Sequence, residues 1–140
     1  MPQVVLDTNV LVSALRSRRG ASFRLLELLD EGRFGIDLSV PLVLEYEQEA
    51  RDLEGTTPLT LEDIDALVDY LCAVARRWKV FYLWRPFLRH VKDDMILELA
   101  VAASSAAIVT HNKRDFQGVE QFGVRVLSPK EFLEELGDIR

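Results

Sequence analysis

The sequence has one cysteine, Cys72, in 140 residues, so it cannot form an internal disulfide. Its seven glycines and five prolines are scattered and form no linker or low-complexity tract. No apolar run is long enough to span a bilayer, and no positively charged segment precedes the first apolar run. These absences predict a cytoplasmic protein with neither a membrane span nor a signal peptide.

Basic residues are also in the minority, since 17 Lys and Arg face 23 Asp and Glu and leave a formal net charge of -6. This balance argues against a broadly basic nucleic-acid coat, but it allows a nucleic acid held by metal ions and a few local cations. The sequence has no zinc-type Cys/His ligand set, Gly-rich phosphate loop or nucleophile elbow. The two histidines, His90 and His111, fall in predicted loops, too far apart in sequence to form a local metal pair.

The patterns that are present predict one domain over residues 1–140. Short apolar runs alternate with helical patterns, and this alternation predicts a parallel sheet covered on both faces, an α/β fold. The fourth helical pattern starts after a capping box at Thr60 and keeps its spacing as far as Trp78. Ser128-Pro129-Lys130-Glu131 is the strongest helix start in the chain. The predicted strands are residues 4–6, 34–38, 80–83, 106–110 and 124–127.

Asp7 stands at the junction between the first predicted strand and the first helix. Open α/β sheets bind their ligands at the carboxyl ends of their strands, so a carboxylate here is a candidate ligand-binding group. Asp and Thr are also good N-caps, and Asp7 followed by Thr8 has that structural explanation as well. The junction alone leaves both explanations open.

Three further carboxylates are expected near the same sheet edge. Asp115 follows the strand 106–110, Asp94 lies in the first turn of the helix before that strand, and Glu45 lies among apolar residues of the third helix. Clustered carboxylates raise one another's pKa values, and a divalent cation relieves this repulsion. Oxygen ligands favour Mg²⁺ or Mn²⁺, and a metal held in this way suits phosphodiester hydrolysis.

The same three residues have structural alternatives. Asp94 would favour the helix dipole, with Asp93 as the cap. Glu45 and Glu49, four residues apart, would form a solvated face, and Asp115 would form a turn.

Four motifs, in this order and spacing, resemble the PIN domain from Val4 to about Leu136. The closest resemblance is to the VapC-like group, the toxin components of bacterial and archaeal toxin–antitoxin systems. The motifs are Leu6-Asp7-Thr8-Asn9-Val10-Leu11, Leu44-Glu45-Tyr46-Glu47, Lys92-Asp93-Asp94 and Val109-Thr110-His111-Asn112-Lys113-Arg114-Asp115-Phe116.

The resemblance implies a three-layer α/β/α sandwich with a central, mainly parallel sheet. It also implies a metal-dependent endoribonuclease site with one or two Mg²⁺ or Mn²⁺ ions. Many family members have Asp where this chain has Asn112, which removes one charge and leaves the number of metals open. Carried over, the acidic quartet is Asp7, Glu45, Asp94 and Asp115, and the supporting hydrogen-bonding residues are Thr8, Asn9, Thr110 and Asn112.

An RNA substrate, an antitoxin partner and a homodimer are further expectations from the resemblance. Loop cations near the predicted cleft are candidates for phosphate contacts, although such residues are usually only solvated: Arg16, Arg18, Arg19, Lys113 and Arg114. A haloacid-dehalogenase-like phosphatase is an alternative, but it needs a second Asp where Asn9 stands. A non-catalytic PIN-like binding module is another, although a scaffold has no need of clustered carboxylates.

Overall fold

A computed structural model of the protein describes residues 1–80 and 87–138. The strands are β1 (Gln3–Leu6), β2 (Gly35–Ser39), β3 (Arg76–Trp78), β4 (Ala107–Val109) and β5 (Arg125–Leu127). The α-helices are α1 (Thr8–Arg16), α2 (Ala21–Asp30), α3 (Val40–Arg51), α4 (Leu61–Val74), α5 (Val91–Ala102) and α6 (Pro129–Glu135). Two short 3-10 helices, Lys113–Phe116 and Val119–Phe122, connect β4 to β5.

The strands form one parallel sheet in the order β3-β2-β1-β4-β5. Successive strand residues point to opposite faces, and every residue of β2 and β4 is buried, so helices must cover both faces. This confirms the predicted α/β/α sandwich. The central strand β1 pairs Leu6 with Val109 of β4, and this register brings the ends of the two strands side by side.

Local helix signals were predicted correctly. The Ser128 hydroxyl accepts from the Glu131 backbone N–H, and the Glu131 carboxylate accepts from the Ser128 N–H, so a complete capping box starts α6. Thr60 and Asp63 form the same arrangement at α4. Among the residues that the structure describes, none lies in a helix long and apolar enough to cross a membrane.

β3 is a strand that the sequence pattern did not predict. It lies at Arg76–Trp78, within the predicted fourth helix, which ends at Val74 instead of Trp78. Of the predicted strand 80–83, only the first residue, Val80, is described and it belongs to no strand, while positions 81–83 lie outside the described residues. The cause is Asp37 of β2, which is fully buried and accepts hydrogen bonds from the Arg76 guanidinium at 2.7 and 3.1 Å and from the Trp78 indole at 3.1 Å. These long-range bonds draw the segment into the sheet.

Candidate active site

A cleft of about 470 Å³ opens where β1 and β4 end. The carboxyl ends of parallel strands meet at one edge, so segments distant in sequence contribute to it. The lining side chains come from the end of β1 and from α1, α3, α5 and the loop after β4. The polar members are Asp7, Thr8, Asn9, Ser13, Arg16, Ser17, Glu45, Glu49, Asp93, Asn112 and Asp115.

Asp7 starts α1 with its backbone, while its side chain faces the neighbouring strand. Its carbonyl accepts from the Val10 N–H at 2.9 Å, but within the described residues its carboxylate makes no capping hydrogen bond. Instead, the carboxylate accepts a 2.7 Å hydrogen bond from the hydroxyl of Thr110. Burial, followed by the negative charges of Glu45 and Asp115, raises the pKa of Asp7 against the opposing effect of its hydrogen bonds. Capping therefore does not account for this side chain.

Glu45 is held in the cleft from two sides. The Thr8 hydroxyl donates to its Oε2 at 3.0 Å, and the Lys92 ammonium lies 3.5 Å from its Oε1. The next residue, Tyr46, is buried and donates a 2.5 Å hydrogen bond to the carbonyl of Leu6, which ties α3 to the end of β1. The Glu45 side chain is only 14% exposed, so it does not belong to a solvated face.

The structure places Asp93 in the cleft and turns Asp94 away from the position expected for it. Asp94 is buried, and its Oδ1 accepts the backbone N–H groups of Phe87 and Leu88 at 3.1 and 2.9 Å. Those two N–H groups need an acceptor at the entry to α5, and this local demand decides the orientation of Asp94. Asp93, one position earlier, lines the cleft with Asp7, Glu45 and Asp115.

Asp93 is the carboxylate whose titration the site disturbs most clearly. Partial burial, followed by the charges of Asp7 and Asp115, raises its pKa to about 6, with Glu45 adding to the effect and His90 opposing it. Asp115, half-buried in the 3-10 helix Lys113–Phe116, joins Asp7, Glu45 and Asp93, and Glu49 is the fifth carboxylate that lines the cleft. Burial is thus the main cause of the raised pKa, and the neighbouring carboxylates add repulsion that further disfavours the charged form of Asp93.

A hydrogen-bond network around Thr110 connects the two strand ends. Thr110 is fully buried, and its hydroxyl accepts from the Asn9 side chain at 3.4 Å and from the Asn112 N–H at 3.0 Å. Asn9 also accepts the His111 N–H at 3.2 Å, and the His111 ring lies 2.8 Å from the Ser22 hydroxyl. The bonds to Thr110 and Asn9 fix the loop that carries Asn112 and Asp115.

Most of the chain matches a known protein family. A family model described as a PIN domain matches residues 3–114. The chain belongs to the PIN domain family. Its fold is similar to that in the crystal structure of VapBC2 from Rickettsia felis bound to a DNA fragment from their promoter, with a TM-score of 0.61 and 16% sequence identity. The alignment covers 90% of this chain and 98% of the other. No curated protein sequence matches significantly.

The predicted phosphate-binding cations of this PIN domain do not all lie at the cleft. Arg16 lines it, whereas Arg18 and Arg19 line a separate depression beside α6. Lys113 pairs with Glu131 at 2.9 Å. Arg114 lies in a depression that it shares with Asp115.

The donor set of the PIN-domain cleft fits a divalent cation. Its five carboxylates and the Asn112 amide offer the oxygen ligands that Mg²⁺ and Mn²⁺ bind. Sequence reasoning missed two residues here, Asp93 and His90. Single ligand atoms of His90, Asp93 and Asp115 all lie within 4.8 Å of one another. The available signal was the spacing of His90 and Asp93, since side chains at N-cap and N3 lie side by side.

Proposed function

We propose that this PIN domain is a Mg²⁺- or Mn²⁺-dependent endoribonuclease that hydrolyses phosphodiester bonds in RNA. The observation that carries the proposal is the convergence of four carboxylates, Asp7, Glu45, Asp93 and Asp115, in one cleft at the carboxyl edge of the sheet. Such a concentration of like charge is unfavourable in an apo protein and is relieved by a cation. The PIN-family match over residues 3–114 supports the same conclusion.

Asp7, Asp93 and Asp115 would hold one or two metal ions, and Glu45 would bind metal or orient the attacking water. Asp93 thus takes the role that the sequence pattern gave to Asp94, because only the Asp93 carboxylate lines the cleft. A bound divalent cation supplies water activation and stabilisation of the charge that develops on the phosphoryl group.

The other polar residues of the cleft orient these carboxylates. Thr110 holds one oxygen of Asp7, and Thr8 and Lys92 hold the two oxygens of Glu45. Asn112 offers an uncharged amide oxygen to the metal ion, whereas a carboxylate at this position would increase the repulsion among the acidic side chains. Arg16 is the guanidinium at the cleft wall, and in the proposal it binds an RNA phosphate.

The proposal extends to a toxin that is silenced by an antitoxin and that forms a homodimer. Two observations support it: the resemblance of the four motifs to VapC-like proteins and the similarity to a chain of the VapBC2 structure over nearly its whole length. In this proposal an antitoxin segment covers the acidic cleft. Co-purification of the chain with the product of a neighbouring short reading frame, and loss of cleavage in that complex, would test it.

The decisive experiment measures cleavage of single-stranded RNA with Mg²⁺ or Mn²⁺, with EDTA, and with Asp7→Asn. We expect cleavage that EDTA abolishes and that Asp7→Asn reduces at least 100-fold. Asp69→Asn, an exposed acid on α4 outside the cleft, is the matched control and should cleave normally. Cleavage that survives both EDTA and Asp7→Asn would overturn the proposal.

The two alternative functions predict different experimental results. A phosphatase that forms a phosphoaspartate would be trapped by beryllium fluoride, but Asn9 stands where that chemistry needs a carboxylate and is bonded to Thr110 and His111. A non-catalytic module would give flat Mn²⁺ calorimetry together with tight binding of RNA or protein.

A further inference from the structure

The start of α5 places a histidine beside the cleft carboxylates. His90 is the N-cap of α5 and Asp93 is its third helical residue. The carbonyl of His90 accepts the N–H groups of Asp93 and Asp94 at 3.1 and 3.2 Å, so the backbone of this turn is fixed. Side chains at these two helix positions lie side by side, as they do in a capping box. In the part of the chain that the structure describes, the His90 ring makes no capping hydrogen bond of its own.

The spacing of the side chains suits a common metal ion. One ring nitrogen of His90 and one oxygen each of Asp93 and Asp115 lie within 4.8 Å of one another. Metal–nitrogen and metal–oxygen bonds of about 2.0–2.2 Å put two ligands of one ion at most about 4.4 Å apart. Small side-chain rotations are therefore enough to bring all three groups onto one cation.

We propose that His90 is a nitrogen ligand of the metal ion, together with Asp93 and Asp115, and that it makes the site prefer Mn²⁺ and later transition ions to Mg²⁺. The inference rests on the metal centre of the proposed function and adds a ligand to it. Mg²⁺ strongly favours oxygen ligands, whereas imidazole suits later first-row ions. A neutral ring also completes the coordination without adding a negative charge to a cleft that already has five carboxylates.

The competing explanation is that His90 acts only as a cation paired with Asp93. It predicts that removal of the ring weakens or strengthens the binding of all divalent ions alike, because only a charge changes. A ligand role predicts a selective loss that falls on Mn²⁺ and Co²⁺. The ratio of affinities for different ions therefore separates the two roles.

The test is calorimetric titration of the folded chain with MgCl₂, MnCl₂ and CoCl₂. We expect His90→Ala to weaken Mn²⁺ and Co²⁺ binding at least tenfold and Mg²⁺ binding less than threefold. His111→Ala is the matched control, because His111 is the other histidine of the sequence and its ring lies at the Ser22 hydroxyl instead of at the carboxylates. Circular dichroism and thermal melting establish that each variant is folded.

Pulsed EPR of bound Mn²⁺ gives a readout that is independent of cleavage. A coordinated imidazole nitrogen modulates the electron spin echo, so the wild type and His111→Ala should show nitrogen modulation that His90→Ala lacks. The same Mn²⁺/Mg²⁺ affinity ratio in His90→Ala and wild type, or a wild-type echo without nitrogen modulation, would overturn the inference and leave the nuclease proposal standing. Nitrogen modulation without RNA cleavage would overturn the nuclease and leave the ligand assignment. Failure of the wild type to bind any of the three ions would overturn both.

Discussion

The hydroxyl of Thr110 donates a 2.7 Å hydrogen bond to Oδ2 of Asp7, across the ends of the neighbouring strands β4 and β1. Both residues are buried, and burial is the main reason that the pKa of Asp7 is raised. The hydroxyl therefore partly compensates a carboxylate that has lost most of its water. The Thr110 side chain thus stabilises the ends of β1 and β4 and also fixes the orientation of the Asp7 carboxylate.

Replacing this hydroxyl should damage both stability and cleavage. Thr110→Val keeps the side-chain shape but removes the donor to Asp7 and the acceptor for the Asn112 N–H. We expect a loss of about 1–3 kcal/mol in unfolding free energy, the usual cost of leaving buried polar groups unpaired. Cleavage should fall at least tenfold, because Asp7 loses its fixed orientation. Thr110→Ser, which keeps the hydroxyl, should recover most of the activity, and equal loss in both variants would argue against a hydrogen-bonding role.

Adjacent carboxylates of α5 should respond in opposite ways to the same substitution. Asp93→Asn should abolish metal binding and RNA cleavage without lowering the stability of the metal-free protein. Asp94→Asn should lower stability by about 1–3 kcal/mol, because a charged acceptor of two backbone N–H groups becomes a weaker, neutral one. Denaturant unfolding and Mn²⁺ calorimetry on both variants would measure this. Normal metal binding by Asp93→Asn would contradict the assignment.

The metal-free protein should lose stability as the pH rises through the titration of Asp93. Its folded-state pKa of about 6 lies above the unfolded value of about 3.9. The folded state therefore binds more protons between these values, so the contribution is complete below pH 4 and lost above pH 6. The effect should be on the order of 1 kcal/mol, since partial exposure screens the charge.

Thermal melting in EDTA from pH 4.5 to 7.5 measures this contribution. Asp93→Asn removes the titrating group, so its melting temperature relative to wild type should rise by a few degrees across this range. Saturating Mn²⁺ should remove the difference or reverse it, because the ion binds the ionised carboxylates of the wild type. Parallel melting profiles for the two proteins in EDTA would show that Asp93 has an ordinary pKa.

The ion pair between Arg76 of β3 and the buried Asp37 of β2 should stabilise the protein far more than an exposed ion pair does. Asp37 is fully buried, so Arg76→Ala would leave its carboxylate without its main partner, at a cost of about 3 kcal/mol. Lys113→Ala breaks an exposed pair with Glu131 and should cost less than about 1 kcal/mol. Urea unfolding of the two variants gives the comparison. Similar small losses in both would show that β3 does not depend on Asp37.

Arg16, at the end of α1, and Arg19, in the turn that follows, should differ in their effect on RNA binding. Arg16 lines the acidic cleft, whereas Arg19 lines the separate depression beside α6. Arg16→Ala should weaken the binding of single-stranded RNA and lower the slope of log affinity against log salt by about 0.7, the value for one phosphate contact. Arg19→Ala should leave both unchanged. Fluorescence anisotropy with uncleaved RNA, in Asp7→Asn to prevent hydrolysis, measures the slope.

Helix starts were predicted well because capping residues act on neighbouring residues in the sequence. The capping residues Ser128, Glu131 and Thr60 act on their own helices, so their patterns gave correct helix starts. The position of β3 depends instead on Asp37, which lies 39 residues from Arg76 in the sequence. A short Arg-Arg-Trp segment has no apolar alternation that would mark it as a strand.

The prediction of the acidic site was likewise limited, and it was wrong by one residue at the start of α5. The sequence indicated that an acid at the start of α5 would join Asp7, and the structure places one at the cleft. Asp93 and Asp94 are neighbours on a helix and point about 100° apart. Their roles depend on the backbone N–H groups of Phe87 and Leu88, which need an acceptor. That demand comes from the backbone at positions 87 and 88, whose direction no residue pattern encodes.

Because β1 pairs with β4, which is synthesised much later, the cleft can form only late in translation. Val4 pairs with Ala107, 103 residues later in the chain, and Asp7 and Thr110 have the same separation. A ribosome adds about 5–20 residues per second, so Asp7 is synthesised several seconds before Thr110 and Asp115. The nascent chain carries Asp7 from the outset, yet it cannot assemble the acidic cleft until Asp115 has left the exit tunnel. Under the proposed function, a nascent chain would therefore gain its cleavage activity only near the end of its own synthesis.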